Sequence, residues 1–111
     1  MKIDERQEDD DVTVLALSGK LMIGEGDVML REKVAELVED GRRRVVLDLA
    51  DVPYVDSAGL GEIVRSYTAL QRKNGLLKLR NPSKRIHDLL SVTKLLKFFG
   101  DDDGTWPDTT A

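Results

Sequence analysis

The chain has no cysteine among its 111 residues. Disulfides and thiolate chemistry are thereby excluded, and nothing in the composition argues for secretion. It has one histidine, His87, and one tryptophan, Trp106. A metal centre lacks its raw material: His87 has no partner at ligand spacing, and the acidic runs do not follow the EF-hand pattern. No apolar run approaches the roughly 20 residues of a membrane-spanning helix. The opening "MKIDERQEDD" is acidic, unlike a signal peptide. A cytoplasmic protein with no membrane span, metal or cofactor is expected. A basic footprint is also missing. Net charge is -4, with the acids gathered in "DERQEDDD" at 4–11 and "DDD" at 101–103. That argues against nucleic acid as a partner. The one dense basic cluster, "RRR" at 42–44, comes after a predicted helix, where cations serve the helix dipole and solubility.

What is present suits one domain with one core: 41% hydrophobic residues, 34% charged, and no internal repeat. "VTVLAL" at 12–17 reads as a strand, and "KLMI" at 20–23 as a short second one. After the glycine pair of "GEGD", Asp27 is the expected N-cap of a helix that buries Leu30, Val34, Leu37 and Val38. Asp40-Gly41 ends it. "VVLDLA" at 45–50 reads as a central strand covered by helices, broken by Pro53. A helix after Ser57 carries Leu60, Ile63, Val64, Tyr67 and Leu70 on one stripe and stops at Asn74-Gly75. "LLKLR" at 76–80 is the next strand. A third helix near Pro82 turns Ile86, Leu89 and Leu90 inward. "KLLKFF" at 94–99 is expected as an edge strand guarded by its lysines. This alternation predicts an α/β domain over 1–99 with an at least partly parallel sheet. Residues 100–111 are expected to form a flexible tail.

The informative stretch is "VDSAGLGE" at 55–62, at a strand-to-helix corner. Ser57 has three readings there. It can be a helix cap, a role that Asp56 beside it could also fill. It can be a nucleophile, but the G-x-S-x-G elbow needs glycine where Val55 stands, and the only imidazole, His87, lies in the third helix. It can be a residue that is itself modified, since a helix N-terminus is a favourable seat for a phosphate. Gly59 and Gly61 each cost up to about 1 kcal/mol in a helix relative to alanine, so close approach of something to the backbone is expected. Neither glycine-rich stretch has the Lys-Ser/Thr of a P-loop, and G-x-G-x-x-G is absent.

"VVLDLADVPYVDSAGLGEIVRSYTALQRKNGLLKL" resembles the STAS domain family, specifically the bacterial anti-sigma factor antagonists. "LALSGKL" at 15–21 is similar to the family's first strand pair, and "NPSKRIHDLLSVTKLLKFF" to its third helix and the strand after it. The resemblance spans about residues 10–99. It implies the STAS fold, a mixed parallel/antiparallel sheet with helices mainly on one face. It also implies a binding module in place of an enzyme. In the family the serine of D-S-x-G-L-G is phosphorylated by an anti-sigma factor serine kinase, and a PP2C-type phosphatase reverses the mark. The matching residue is Ser57. The implied partner surface comprises Ile23, Gly24, Glu25, Asp56, Ser57, Ala58, Gly59, Gly61 and Glu62. Unphosphorylated, such a protein binds the kinase and frees a sigma factor. A STAS subunit of a phospholipid-transport ABC complex is the alternative, since those relatives can share the motif.

Overall fold

The computed structural model describes residues 1–8, 11–95 and 99. The elements run β1 (Lys2–Glu8), β2 (Val12–Ser18), α1 (Gly26–Glu39), β3 (Arg44–Asp51), α2 (Ser57–Gln71), β4 (Leu76–Arg80) and α3 (Lys84–Val92). The sheet order is β1-β2-β3-β4. β1 pairs antiparallel with β2, while β2–β3 and β3–β4 are parallel. The expected mixed sheet is therefore present. Both parallel steps move in the same direction across the sheet, so right-handed crossovers put α1 and α2 on the same face. There Leu15, Leu17, Val45, Leu47, Leu49, Leu77 and Leu79 pack beneath Leu30, Val34 and Leu37 of α1, Ile63 and Leu70 of α2, and Ile86 and Leu90 of α3. Leu89 is only half-buried.

Three expectations change. The acidic N-terminal stretch contains β1. Its residues Ile3, Glu5 and Gln7 pair with Leu17, Leu15 and Thr13. Ile3 packs on the core, Glu5 meets Lys33 of α1 at 3.0 Å, and Gln7 accepts from the Thr13 hydroxyl at 3.2 Å. Polar side chains suit an edge strand, whose outer side must discourage pairing with other chains. "KLMI" is not a strand. Only Leu21 makes a bridge, parallel to Val55. Lys94 is in a turn at φ 62°, and Leu95 is in no strand. Of the expected edge strand at 94–99, residues 96–98 lie outside the described residues, as does the tail 100–111.

The "RRR" cluster behaves as its position suggests. Arg43 donates to the carbonyl of Val38 at 3.2 Å and of Arg42 at 3.0 Å, just past the end of α1. Val38 is in the last turn of α1, and its carbonyl also accepts from the Gly41 N–H at 3.1 Å.

Candidate functional site

The corner between β3 and α2 is built around Leu21. Its N–H donates to the Tyr54 carbonyl at 2.9 Å, and its carbonyl accepts from the Asp56 N–H at 3.2 Å. Leu21 itself is fully buried. The loop after β2 is thus laid alongside the segment that enters α2.

Asp56 is the N-cap of α2, in extended backbone at φ -89° and ψ -178°. One carboxylate oxygen accepts from the Gly59 N–H at 2.7 Å, closing the first turn. The other accepts from the Ile23 N–H at 3.0 Å, on the loop. A single side chain therefore holds two segments together. These backbone hydrogen bonds, first from Gly59 and then from Ile23, push the Asp56 carboxyl below the usual aspartate range. Ser57 is the first residue of the helix and is exposed. Of the two capping candidates, the aspartate has the role.

Asp27 is not the cap of α1. The helix starts at Gly26, and the N-cap position belongs to Glu25, whose side chain makes no capping bond. Asp27 sits in the first turn, buried, and accepts from the N–H groups of Gly24 and Val28 at 2.8 Å each. It braces the glycine-rich loop from inside.

The two glycines of α2 differ. A Cβ on Gly59 would run into the Leu21 carbonyl oxygen, and would lie 2.9 Å from Leu21 Cγ and 3.0 Å from its carbonyl carbon. Gly59 is required by neighbouring backbone. Around a Cβ on Gly61 nothing lies within 4 Å, and the residue faces solvent.

Of the other expected surface residues, Ile23, Gly24 and Glu25 are exposed and Ala58 is half-buried. Ile23 is 73% exposed, an unusual degree for isoleucine; Val28 and Tyr54 also show partial exposure. Glu62 departs from the rest. Its side chain is 3% exposed, and its carboxylate is held by Arg31 of α1 through contacts of 3.1 to 3.3 Å and by Arg65 at 3.3 Å. It ties α1 to α2, and what it offers the surface is the two guanidinium groups above it. Ile23 belongs to the expected surface, whereas Val28 and Tyr54 lie in no motif that the sequence marks. His87 lies on α3, half-exposed, with Nδ1 4.0 Å from Asp88. Among the described residues no group of three or more His, Cys, Asp or Glu could hold a metal ion, and no helix is long and apolar enough to cross a membrane.

A fold of this topology, with an aspartate-capped D-S-A-G-L-G corner after a buried strand, defines the class. The chain belongs to the STAS domain family, whose model matches residues 5–110. Within it the chain groups with the anti-sigma factor antagonists. It is 35% identical over 95 residues to the anti-sigma-B factor antagonist of Bacillus subtilis, covering 86% of this chain and 84% of that one. The crystal structure of a candidate anti-sigma factor antagonist from Thermotoga maritima matches with a TM-score of 0.82 at 27% identity, over 89% of this chain and 84% of that one. Bacillus SpoIIAA in its phosphorylated form matches with a TM-score of 0.73 over 90% of each chain; at 19% identity, that likeness is one of fold.

Proposed function

We propose that this chain is a cytoplasmic anti-sigma factor antagonist switched by phosphorylation of Ser57. It works as a binding module with no catalysis of its own. Unphosphorylated, it binds an anti-sigma factor serine kinase, and a sigma factor is released. Phosphorylated on Ser57, it lets go, and a PP2C-type phosphatase restores the binding form. The observation that carries this reading is the division of roles at the corner. Asp56 does the capping and holds the Ile23 N–H, so Ser57 is left exposed at the first helical position. An exposed hydroxyl with no capping duty, next to a loop that presents the exposed Ile23, suits a docking surface. The named role of the Bacillus subtilis relative supports the same reading.

The switch is electrostatic. A phosphate adds about -1.5 to -2 charge. One extra charge about 5 Å from a partner carboxylate, at an effective dielectric of 20, is worth roughly 3 kcal/mol, or about a hundredfold in affinity. The positive end of α2 offsets that charge within the monomer.

Incubation with ATP and the candidate kinase, followed by mass mapping, should find phosphate on Ser57. Ser57→Ala should bind the kinase and stay unmodified, while Ser57→Asp should bind much more weakly at an unchanged melting temperature. Equal affinity for wild type, Ala and Asp forms would remove the switch. A large fall in melting temperature for Ser57→Asp would mean that the penalty lies in the fold and not at a partner.

A further inference from the structure

A stripe runs down the outer side of α2 from its first residue. Ser57, Gly61, Arg65, Thr68 and Arg72 follow one another at steps of three or four. Two hollows lie along it. One, of about 440 Å³, runs past Gly61, Val64 and Arg65 to Ala69 and Arg72. The other, of about 630 Å³, lies between α1 and α2 and is lined by Ala35 and Val38 of α1 and Ala69 of α2. They share Ala69 and Arg72 and so form one groove. Its near end, at Gly61, is about one helical turn from Ser57. The chain as a whole carries a net charge of -4, but this groove is basic. Arg65, Arg72, Lys73 and Arg43 line it, against the single carboxylate of Glu39. At its head the buried Glu62 carboxylate is already held by Arg31 and Arg65. That contact fixes two guanidinium groups whose side chains remain 48% and 62% exposed. Arg43 is fixed in the same way by the carbonyls of Val38 and Arg42. Cations already held in place lose less freedom when a carboxylate arrives.

We propose that this groove receives an acidic segment of the kinase. Its apolar side chains rest on Val64, Val38 and the two alanines, and its carboxylates meet Arg65, Arg72 and Lys73. This surface extends the kinase contact proposed above, and rests on that reading. It carries the contact from the corner along roughly 17 Å of helix, from Gly61 to Arg72. A segment of about five extended residues or about eleven helical ones spans that length. Charge and shape favour this occupant over others. A nucleic acid would meet the same cations, but also the repulsion of a chain whose net charge is -4. An apolar floor offers its phosphates nothing. A bilayer is flat and would touch only the rims. A second copy of the chain, docked symmetrically, would set this basic surface against itself.

Arg65→Glu and Arg72→Glu should each weaken binding of the kinase that phosphorylates Ser57 by about tenfold at low salt, largely through a slower on-rate. Lys84→Glu makes the same change of charge on α3, at a side chain that is 92% exposed and outside the groove. It should alter affinity by less than about twofold. Glu62 is held by Arg31 and Arg65, so Arg72→Glu leaves that network intact and decides the matter if Arg65→Glu fails to fold. If the wild type binds the kinase and both reversals match Lys84→Glu, the groove is not the contact, and the Ser57 switch stands without it. If the wild type neither binds the kinase nor is phosphorylated by it, the proposed function falls and this extension falls with it. Sedimentation of the wild type but not of Arg72→Glu with phosphatidylglycerol vesicles, with kinase binding the same for both, would assign the groove to an anionic membrane and overturn the proposal.

Discussion

Gly59 and Gly61 sit two residues apart in α2, and alanine at each should act in opposite directions. In a helix interior, glycine to alanine gains about 1 kcal/mol from lost backbone freedom in the unfolded chain. At Gly61 nothing opposes that gain, since a Cβ there meets no atom within 4 Å. Gly61→Ala should therefore stabilise by about 0.5–1 kcal/mol. At Gly59 the new methyl would collide with the Leu21 carbonyl group, with Leu21 Cγ 2.9 Å away. Backbone cannot rotate aside as a flexible side chain can. Relief requires the loop to move off α2, which breaks the Asp56 N–H bond to Leu21 at 3.2 Å and strains the Leu21–Val55 bridge. Overpacking of this kind costs about 1–3 kcal/mol, and here a lost hydrogen bond adds to it. The net loss for Gly59→Ala is then about 1–3 kcal/mol. Each kcal/mol moves Tm by about 4–8 °C in a domain near 100 residues. Urea titrations and thermal melts by circular dichroism should therefore separate the two variants by several degrees or more. Gly61→Leu should also keep its stability while weakening kinase binding, because its added bulk falls on the exposed side. The reasoning is refuted if Gly59→Ala is as stable as wild type, or if Gly61→Ala is destabilised by as much as Gly59→Ala.

Asp56→Ala should lower stability by loss of the cap, measured by urea unfolding, whereas Ser57→Ala should cost almost nothing. Because the Asp56 carboxyl is lowered in the folded state, its contribution is complete above the ordinary aspartate value of about 3.9 and is lost as pH falls through the lower folded value. Amide shifts of Gly59 and Ile23 should track that single titration together, and Ser57→Asp should raise its midpoint by adding a neighbouring negative charge. Arg31→Ala should destabilise more than Arg65→Ala in urea titrations, because Arg31 makes three of the four bonds to the buried Glu62 carboxylate.

Legibility tracked burial. β2, β3 and β4 and the three helices announce themselves because each buries an apolar face or stripe, and periodicity reports burial. β1 contributes only Ile3 to the core, so its pattern carries almost no hydrophobic signal. Its pairing rests on backbone bonds to β2 and on polar contacts with β2 and α1 that no local window contains. "KLMI" misled for the opposite reason. Leu21 is apolar because it fills the corner, and Ile23 is apolar while 73% exposed. A run of apolar residues serving two different ends imitates a strand. The N-cap of α1 lies two residues before the expected one. At "GEGD" the loop glycines let the helix begin earlier than Asp27, and the buried aspartate is used to brace the loop.

The choice between Asp56 and Ser57 could not be made from the sequence, since both are good caps. The structure supplies the missing constraint, which is the loop at Ile23. A cap that serves α2 alone needs one acceptor oxygen. A cap that also holds the Ile23 N–H needs a second acceptor, aimed away from the first. A carboxylate has two oxygens and accepts at both; a hydroxyl has one. Asp56 therefore takes the position at which both bonds close, 2.7 Å to Gly59 and 3.0 Å to Ile23. The hydroxyl of the next residue is left with no capping duty, on the first helical position and open to solvent. A serine committed to capping would break its own helix terminus on modification. A serine relieved of it can take a new charge while the bonds that define the corner stay with its neighbour. On the proposed reading, that separation of duties accounts for both residues at this corner, and the pair carries more information than either alone.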